Sequence, residues 1–420
     1  MHTASTRTES TRTEHQDRPG TELGEFLLAT RLRRGMTQSR LAVRSGVSER
    51  TIRDLELGKV ERPRKQTLLL LAKALHMSPS DHLRLQSGGA VPATASQLPP
   101  GATSPLVGRD RVVGGLVELL TSGAQRWVSL VGIAGVGKSR VAAEVARALH
   151  DAVPDPVWWV DPGSSPAPLP GTVADLLLGG AGPRLAELAA LIGDTPAYLV
   201  VDDRVPTRVP DPGLAELLSR CPRLRLLTTA RVPSARPEAH TVALRPLAAR
   251  GDGPDSPATR LLVARLRAQG QERSFLVSDL RDLCDALDGV PAALVAAATW
   301  FPLYPLPRLV EAARRDPFQL TTPAGPATRR AVGDLRSAIS TTIESLRGTD
   351  LAVLTALTGP GRSARDIARE RGVPEQAVTA VLHRLLQAGL IRPTGVPGEF
   401  RTLNTVRSLL TPRRVPHPRR

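Results

Sequence analysis

The run Gly132-Ile133-Ala134-Gly135-Val136-Gly137-Lys138-Ser139 has the spacing best suited to chemistry in this 420-residue sequence. It follows the apolar stretch "WVSLV" and opens a segment of helical character. Glycines at 132, 135 and 137 let backbone N–H groups turn inward onto phosphate oxygens, and a following helix end adds partial positive charge. In such a loop Lys138 neutralises β- and γ-phosphates and Ser139 ligates Mg²⁺. Val136 and Arg140 complete the candidate phosphate contacts. A second apolar stretch, "AYLVVDD", ends in Asp202 and Asp203. A buried strand that delivers a carboxylate beside the loop suits Asp202 to the Mg²⁺ shell. Asp203 either orients an attacking water or caps a helix. A third stretch, "LRLLTTAR", ends in Arg231, placed to sense a γ-phosphate. Lys138, Asp202, Asp203 and Arg231 are therefore the candidate catalytic set, and Ser139 and Asp202 the candidate metal ligands.

The elements that must position these residues follow from the pattern around them. Over residues 105–247, strands ("WVSLVG", "VWWV", "AYLVVDD", "LRLLTTA") alternate with helical stretches, which predicts an α/β P-loop domain with a parallel sheet. Residues 248–346 read as helices only. Residues 347–410 read as a helical unit with a short hairpin, a winged helix, and 411–420 as a basic tail. On the amino-terminal side, 1–20 is polar and predicted to be disordered. Residues 21–86 show helical periods with short turns, and 87–104 is a Gly/Pro/Ala/Ser linker with nothing to bury. The fold class is thus multidomain: all-α, α/β, α-helical and winged helix in turn.

Composition narrows the class. Hydrophobic residues make up 41% and aromatics only 3%, so cores must be built from Leu, Val and Ala. The first twenty residues lack the apolar run of a signal peptide. The longest apolar stretch, residues 290–307, is interrupted by prolines and falls short of a membrane span. The expected location is cytoplasmic and nucleoid-associated, with no membrane partner. Cys221 and Cys284 have no metal or redox spacing and read as buried small residues. The net charge of +16 points to an acidic partner. All but four of the 56 basic residues are arginine, so part of that excess is compositional drift. Its distribution is more telling, with +6 over residues 1–90 and +8 over 351–420.

In the amino-terminal module Thr37 reads as an N-cap, Leu41 and Ala42 as buried, Gly46 as a turn and Ser48 as a second cap. Ile52 and Leu55 then face inward, leaving Glu49, Arg50, Thr51 and Arg53 outside. A helix, a glycine turn and a second helix with polar residues at its start form a helix-turn-helix. Residues 22–85, through "MTQSRLA", "GVSERTI" and "LELGK", resemble the five-helix Cro/lambda-repressor type, or XRE, family. The resemblance implies double-stranded DNA as partner, bound by a homodimer or higher homo-oligomer. It places Thr37 and Gln38 at phosphates and Ser48, Glu49, Arg50 and Arg53 in the major groove. An arginine bidentate to guanine would be the most informative contact. Without that resemblance, the exposed charges could equally be a solvated or protein-docking face.

The remainder resembles the nucleotide-binding core of STAND-type ATPases, the NB-ARC class of actinobacterial regulators. The motifs are "LVGRDR", the loop, "LVVDD", "CPRLRLLTTAR", "LRPL" and "LCDALDGVPAAL", in that order. The resemblance implies ATP or ADP with Mg²⁺, with Val107, Gly108 and Arg109 near the adenine. It implies that Gly289 and Pro291 form the element packing on the base, and that 351–410 is the family's winged helix. Relatives carry a His-Asp pair after the wing that locks the ADP state; here "FRTLNTVR" places Leu403 and Asn404 there. An apolar side chain cannot donate to phosphate, and His383 is the nearest substitute. The sensor repeats common in the family are missing after the winged helix, which implies a separate upstream sensor protein or a reduced form.

No translocation motif accompanies the loop, so the chain reads as a nucleotide switch rather than an engine, with slow hydrolysis if any. The principal expectation is a nucleotide-switched, DNA-binding transcriptional regulator. The alternatives are a signalling or defence ATPase that oligomerises and docks partners through its helix-turn-helix, and a DNA-binding protein with a degenerate ATPase domain.

Overall fold

The computed structural model describes residues 19–60, 63–77, 85, 96, 98–101, 104–161, 183–202, 211–249, 256–271, 277–322 and 334–411. Asp203, residues 1–18 of the stretch expected to be disordered and residues 412–420 of the basic tail lie outside them, whereas Pro19 and Gly20, also expected to be disordered, begin a helix.

Among the described residues the amino-terminal unit has the helices α1 (Pro19–Arg33), α2 (Gln38–Ser45), α3 (Glu49–Glu56) and α4 (Lys65–Ala74), and Leu85 is also helical. The Thr37 hydroxyl accepts the Arg40 N–H and caps α2, Gly46 ends it in the left-handed conformation, and Ser48 caps α3. Leu23, Leu27, Leu41, Ile52, Leu55, Leu71, Leu75 and Leu85 fill a core of its own.

The α/β domain comprises α5 (Asp110–Thr121), β1 (Trp127–Val131), α6 (Lys138–Ala152), β2 (Val157–Val160), α7 (Pro183–Ile192), β3 (Ala197–Asp202), α8 (Asp211–Arg220), β4 (Leu224–Ala230) and β5 (Ala239–Ala243). The strands are parallel in the order β2-β3-β4-β1-β5. Alternate residues face opposite sides, as strand geometry requires. Val128, Leu130 and Val200 join the core on the α6 side, while Trp127, Leu199 and Leu226 meet α7 and α8 on the other. Burial on both faces explains why these strands read as apolar runs. The sequence pattern does not single out β5, whose central residues are His240 and Thr241. Cys221 and Cys284 are both buried thiols, and burial pushes Cys284 up to about 12.

Helices α9 (Pro257–Ala268), α10 (Val277–Ala286), α11 (Pro291–Ala298), α12 (Leu306–Arg315), α13 (Phe318–Thr321) and α14 (Leu335–Glu344) follow. The last unit is α15 (Gly348–Ala356), β6 (Arg362–Ser363), α16 (Ala364–Arg371), α17 (Glu375–Gln387), β7 (Ile391–Pro393), β8 (Glu399–Thr402) and α18 (Asn404–Leu410). Its antiparallel sheet has the order β6-β8-β7, which with the helices makes a winged helix. A single apolar core runs from the α6 face of the large sheet through the helical segment into the winged helix. Among the described residues no helix is long and apolar enough to cross a membrane.

Gly289 is the tightest junction in this body. Its carbonyl accepts the Leu247 N–H at 3.0 Å, its φ is +66°, and a Cβ there would overlap the Leu247 carbonyl oxygen. Gly114, by contrast, sits in exposed helix α5 with open space beside it. Gly289→Ala should therefore cost at least about 2 kcal/mol. Gly114→Ala should add roughly 0.5–1 kcal/mol. Urea unfolding followed by tryptophan fluorescence measures both.

Candidate functional site

The described arrangement of the helix-turn-helix is set by one buried ion pair. Arg31 Nε and Nη2 donate to Glu56 Oε1 and Oε2 at 2.6 and 2.8 Å, joining α1 to α3. Gln38 Nε2 donates to the same carboxylate at 2.6 Å, so the half-buried Gln38 is held at the start of α2. Removing one member of a buried pair leaves the other charge stranded, which typically costs about 3–5 kcal/mol. No spacing in the sequence marks Glu56 as buried, which is why it escaped notice. Around this brace Thr37, Ser48, Glu49, Arg50 and Arg53 are exposed and Thr51 is half-buried. The Ser48 hydroxyl is engaged with the Thr51 backbone N–H and hydroxyl. Arg50 and Arg53 make only long i,i+4 contacts, 3.9 Å to Asp54 and 3.8 Å to Glu49. Such exposed pairs contribute little and leave both guanidiniums available.

In the phosphate loop Gly135 and Gly137 have φ of +78° and +102°, and α6 starts at Lys138. Lys138 Nζ donates to the carbonyls of Gly132 and Ile133 at 2.7 and 3.1 Å. The amine is buried, and burial, with help from Arg231, brings its pKa down to about 8; Asp202 opposes that shift. The three charges thus converge, because β1, β4 and β3 are neighbours that end together. Asp202 is fully buried and its Oδ1 accepts from Thr229 Oγ1 at 2.8 Å. Arg231 Nη1 donates to Ala338 O on α14 at 3.3 Å. Ser139 is half-buried at the first turn of α6.

The remaining candidates surround the loop. Val107 packs on the core and Gly108 lies in the left-handed region against Pro257. Arg109 is buried and braces the loop from behind, donating to Arg245 O at 2.7 Å and more weakly to Val136 O. Burial brings its pKa down to about 10. Arg140 is held by Ser104. Pro291 starts α11, and the next residue donates from Ala292 N to Gly135 O at 3.1 Å. A Cβ on Gly135 would strike Ala292 and Leu335 at 2.8 Å. One on Gly389, between α17 and β7, would meet Ile133 N at 3.1 Å. The phosphate loop therefore touches the helical segment and the winged helix directly.

Leu403 is buried and precedes α18, where it cannot donate to an anion. The polar work at this junction is done by Asp288, a residue the sequence reading passed over. Its Oδ1 accepts Asn404 N at 2.9 Å, and its Oδ2 accepts Thr405 N at 2.9 Å and Thr405 Oγ1 at 3.1 Å. Asn404 Nδ2 donates to the carbonyls of Asp285 and Ala286. Arg392 on β7 stands 3.7 Å from the same carboxylate. Burial raises the Asp288 pKa, while Arg392 and the N–H donors of α18 oppose that. His383 does not join this junction; it is exposed with Glu375, Gln376, Thr379, Ala380 and Arg384 on the outer face of α17.

Comparison with known proteins assigns both ends of the chain. Residues 27–82 match a helix-turn-helix family model, and residues 336–399 match the MarR family. The chain thus carries a helix-turn-helix domain near its amino terminus, a parallel-sheet α/β domain and a MarR-type winged helix. No curated protein matches it. Among solved structures it is similar to C. elegans PCH-2, at 11% identity over 49% of this chain and 66% of that one, with a TM-score of 0.30. It is also similar to a chain of Drosophila ORC bound to DNA, at 14% identity over 86% of this chain and 98% of that one, with a TM-score of 0.29. At such scores the likeness supports no conclusion about this chain.

An aspartate at 404 would put a second carboxylate beside Asp288 and remove both Nδ2 donors. Asn404→Asp should destabilise the protein by about 2–4 kcal/mol near neutral pH. A carboxylate whose folded pKa is raised contributes stability at low pH that is lost as pH rises. The deficit should therefore shrink between pH 8 and pH 5, read as the shift in urea midpoint at each pH.

Proposed function

We propose that the protein is a DNA-binding transcriptional regulator whose grip on its operator is set by bound ATP or ADP. The observation that carries this reading is the phosphate loop's position. Lys138 sits between Asp202 and Arg231, while Gly135 and Ile133 lie under the helical segment and the winged helix. A polyphosphate on that loop cannot be indifferent to those contacts. A ligand shifts a conformational equilibrium only through such differential contacts.

The residues fit the group. Left-handed glycines give the loop its concave backbone, Lys138 would neutralise the β- and γ-phosphates, and Ser139 and Asp202 would hold Mg²⁺. The metal would shield phosphate charge; Arg231, tied to α14, would carry the presence of a γ-phosphate into the helical segment. Hydrolysis, with Asp202 or Asp203 positioning water, would be slow. The helix-turn-helix would read a two-fold site as a dimer through Arg50 and Arg53, with Thr37 and Gln38 at phosphates. The matched MarR-type domain supports duplex DNA as the partner a second time, through the exposed face of α17. The signal would reach the protein from an upstream sensor in the cytoplasm.

A second reading, a DNA-binding protein whose ATPase domain has lost its ligand, is favoured by Leu403 and by the Lys138 amine being satisfied within the loop. A melting scan separates the two, since a ligand at 100 times its Kd stabilises by about 2.7 kcal/mol.

The gating reading is tested on the duplex upstream of the protein's own reading frame, at fixed salt, with Mg·ATP and Mg·ADP. Affinity should differ by about fivefold or more between nucleotides. Lys138→Ala should abolish that difference together with nucleotide binding. Equal affinities in a wild type shown to hold nucleotide would sink the gating. Nucleotide binding should also take up about half a proton near pH 8, because phosphate restores the proton that burial removes from Lys138. Calorimetry in two buffers of different ionisation enthalpy reads that uptake.

A further inference from the structure

The segment between the helix-turn-helix and the α/β domain has the composition of a slack linker, yet described residues of its second half are held at several points. Pro99 is buried. Ser96 Oγ lies 3.1 Å from His150 Nδ1 and accepts the backbone N–H of Val157, the first residue of β2, at 3.1 Å. Arg147 Nη2 donates to Pro100 O at 2.6 Å. Arg140 donates to the carbonyl of Ser104 and, from Nη1 at 3.0 Å, to its hydroxyl. Arg265 of α9 donates to the same hydroxyl at 2.9 Å.

These anchors have an order. Residue 96 sits at the C-terminal end of α6 and residue 104 at its N-terminal end, so the segment runs antiparallel to the helix. Positions 140, 147 and 150 are two turns and then one turn apart, which puts them on one face. They span about 15 Å of helix, well within the reach of nine residues of chain at about 27–30 Å. The helix they occupy is the one that begins at Lys138, in the phosphate loop itself. Arg140 follows Ser139 directly.

We propose that residues 96–104 are a strap through which the phosphate loop controls the helix-turn-helix, held more tightly with ATP than with ADP. The inference rests on the nucleotide-gated reading above and names its transmitting element. Arg140, Arg147 and Arg265 are the positioning residues, acting through the strap rather than on nucleotide. The direction follows from charge. Arg140 and Arg265 bring like charges to one serine hydroxyl, at 3.0 and 2.9 Å. A polyphosphate at the start of α6 offsets the repulsion, and more so with each added negative charge. Release of the strap lengthens the connection between Leu85 and the α/β domain by residues 96–104.

The test is hydrogen exchange on the full-length protein, read on peptides covering 96–104 in Mg·ATP and in Mg·ADP. It is made on wild type, Ser104→Ala and Ser96→Ala/Arg147→Ala, with nucleotide affinity titrated in parallel. Wild type should exchange more slowly with ATP than with ADP, by about fivefold or more. Both variants should exchange fast with either nucleotide while still binding both, with ATP affinity lowered relative to ADP by about the same fivefold that linkage requires, a split that general destabilisation would not give. Equal or faster wild-type exchange with ATP, or variants that keep the difference, overturns the strap. Binding to the upstream duplex separates the two proposals. An exchange difference without a difference in DNA affinity leaves a segment that answers nucleotide but overturns both the gating and the strap's control of the helix-turn-helix. Gating that survives in both variants keeps the gating and overturns the strap. If the titration shows no nucleotide bound, the gated reading has failed first and the strap's response to nucleotide falls with it.

Discussion

A loop whose glycines would surround phosphates is, in this chain, also a bearing surface. Gly135 has no side chain because Val290, Ala292 and Leu335 occupy that space, and Gly389 approaches Ile133 from the winged helix. Interiors are close-packed, so a shift of a few tenths of an ångström in the loop has to be absorbed by both neighbours. That constraint explains the rest of the body. The helical segment is anchored by Gly289 on Leu247, and the winged helix by Asp288 on the start of α18, one residue away in sequence. The stretch 288–292 therefore touches the loop with one end and the winged helix with the other.

The electrostatics of that stretch are finely balanced rather than strong. Asp288 is buried, so its charge is costly, and it is kept useful by three N–H or O–H donors from α18 and by Arg392 at 3.7 Å. A buried carboxylate so satisfied is specific in geometry but contributes little net stability. Lys138 stands in the same position, buried and satisfied by the loop's own carbonyls, with Arg231 working against its charge. A polyanion on the loop would change that balance at Lys138.

What the sequence disclosed and what it withheld divide along a physical line. The loop, the strand ends at Asp202 and Arg231 and the two helix caps at Thr37 and Ser48 were legible, because local spacing encodes them. Parallel order in the sheet was legible from the alternation of strands with helices, but β5 was not, since this edge strand is half-buried over most of its length and carries no apolar run. Glu56, Asp288 and the hold of Arg140 on Ser104 were not legible at all. Each depends on a partner 25 to 117 residues away, and no local pattern distinguishes such a charge from a solvated one. The segment 96–104 shows the same limit from the other side. Its composition reads as slack because Leu98 stands among prolines and small or polar residues, yet its hydroxyl and carbonyls are what the arginines of α6 bind.

That division bears on how the α/β domain and the helix-turn-helix can share one chain. Their cores are separate, one around Leu41 and Ile52 and the other running from the large sheet to the winged helix. Among the described residues the two cores share no member, and the chain between them is one route by which they can be coupled. The chain between them is bound at three points to the helix that starts in the phosphate loop. A covalent connection of that kind transmits through restriction of reach rather than through packing, so it needs no shared interface and no matched surfaces. It also tolerates substitution in the DNA reader, whose own fold is secured by Arg31 and Glu56. Coupling by tether length rather than by contact is thus the arrangement that two independently stable modules permit.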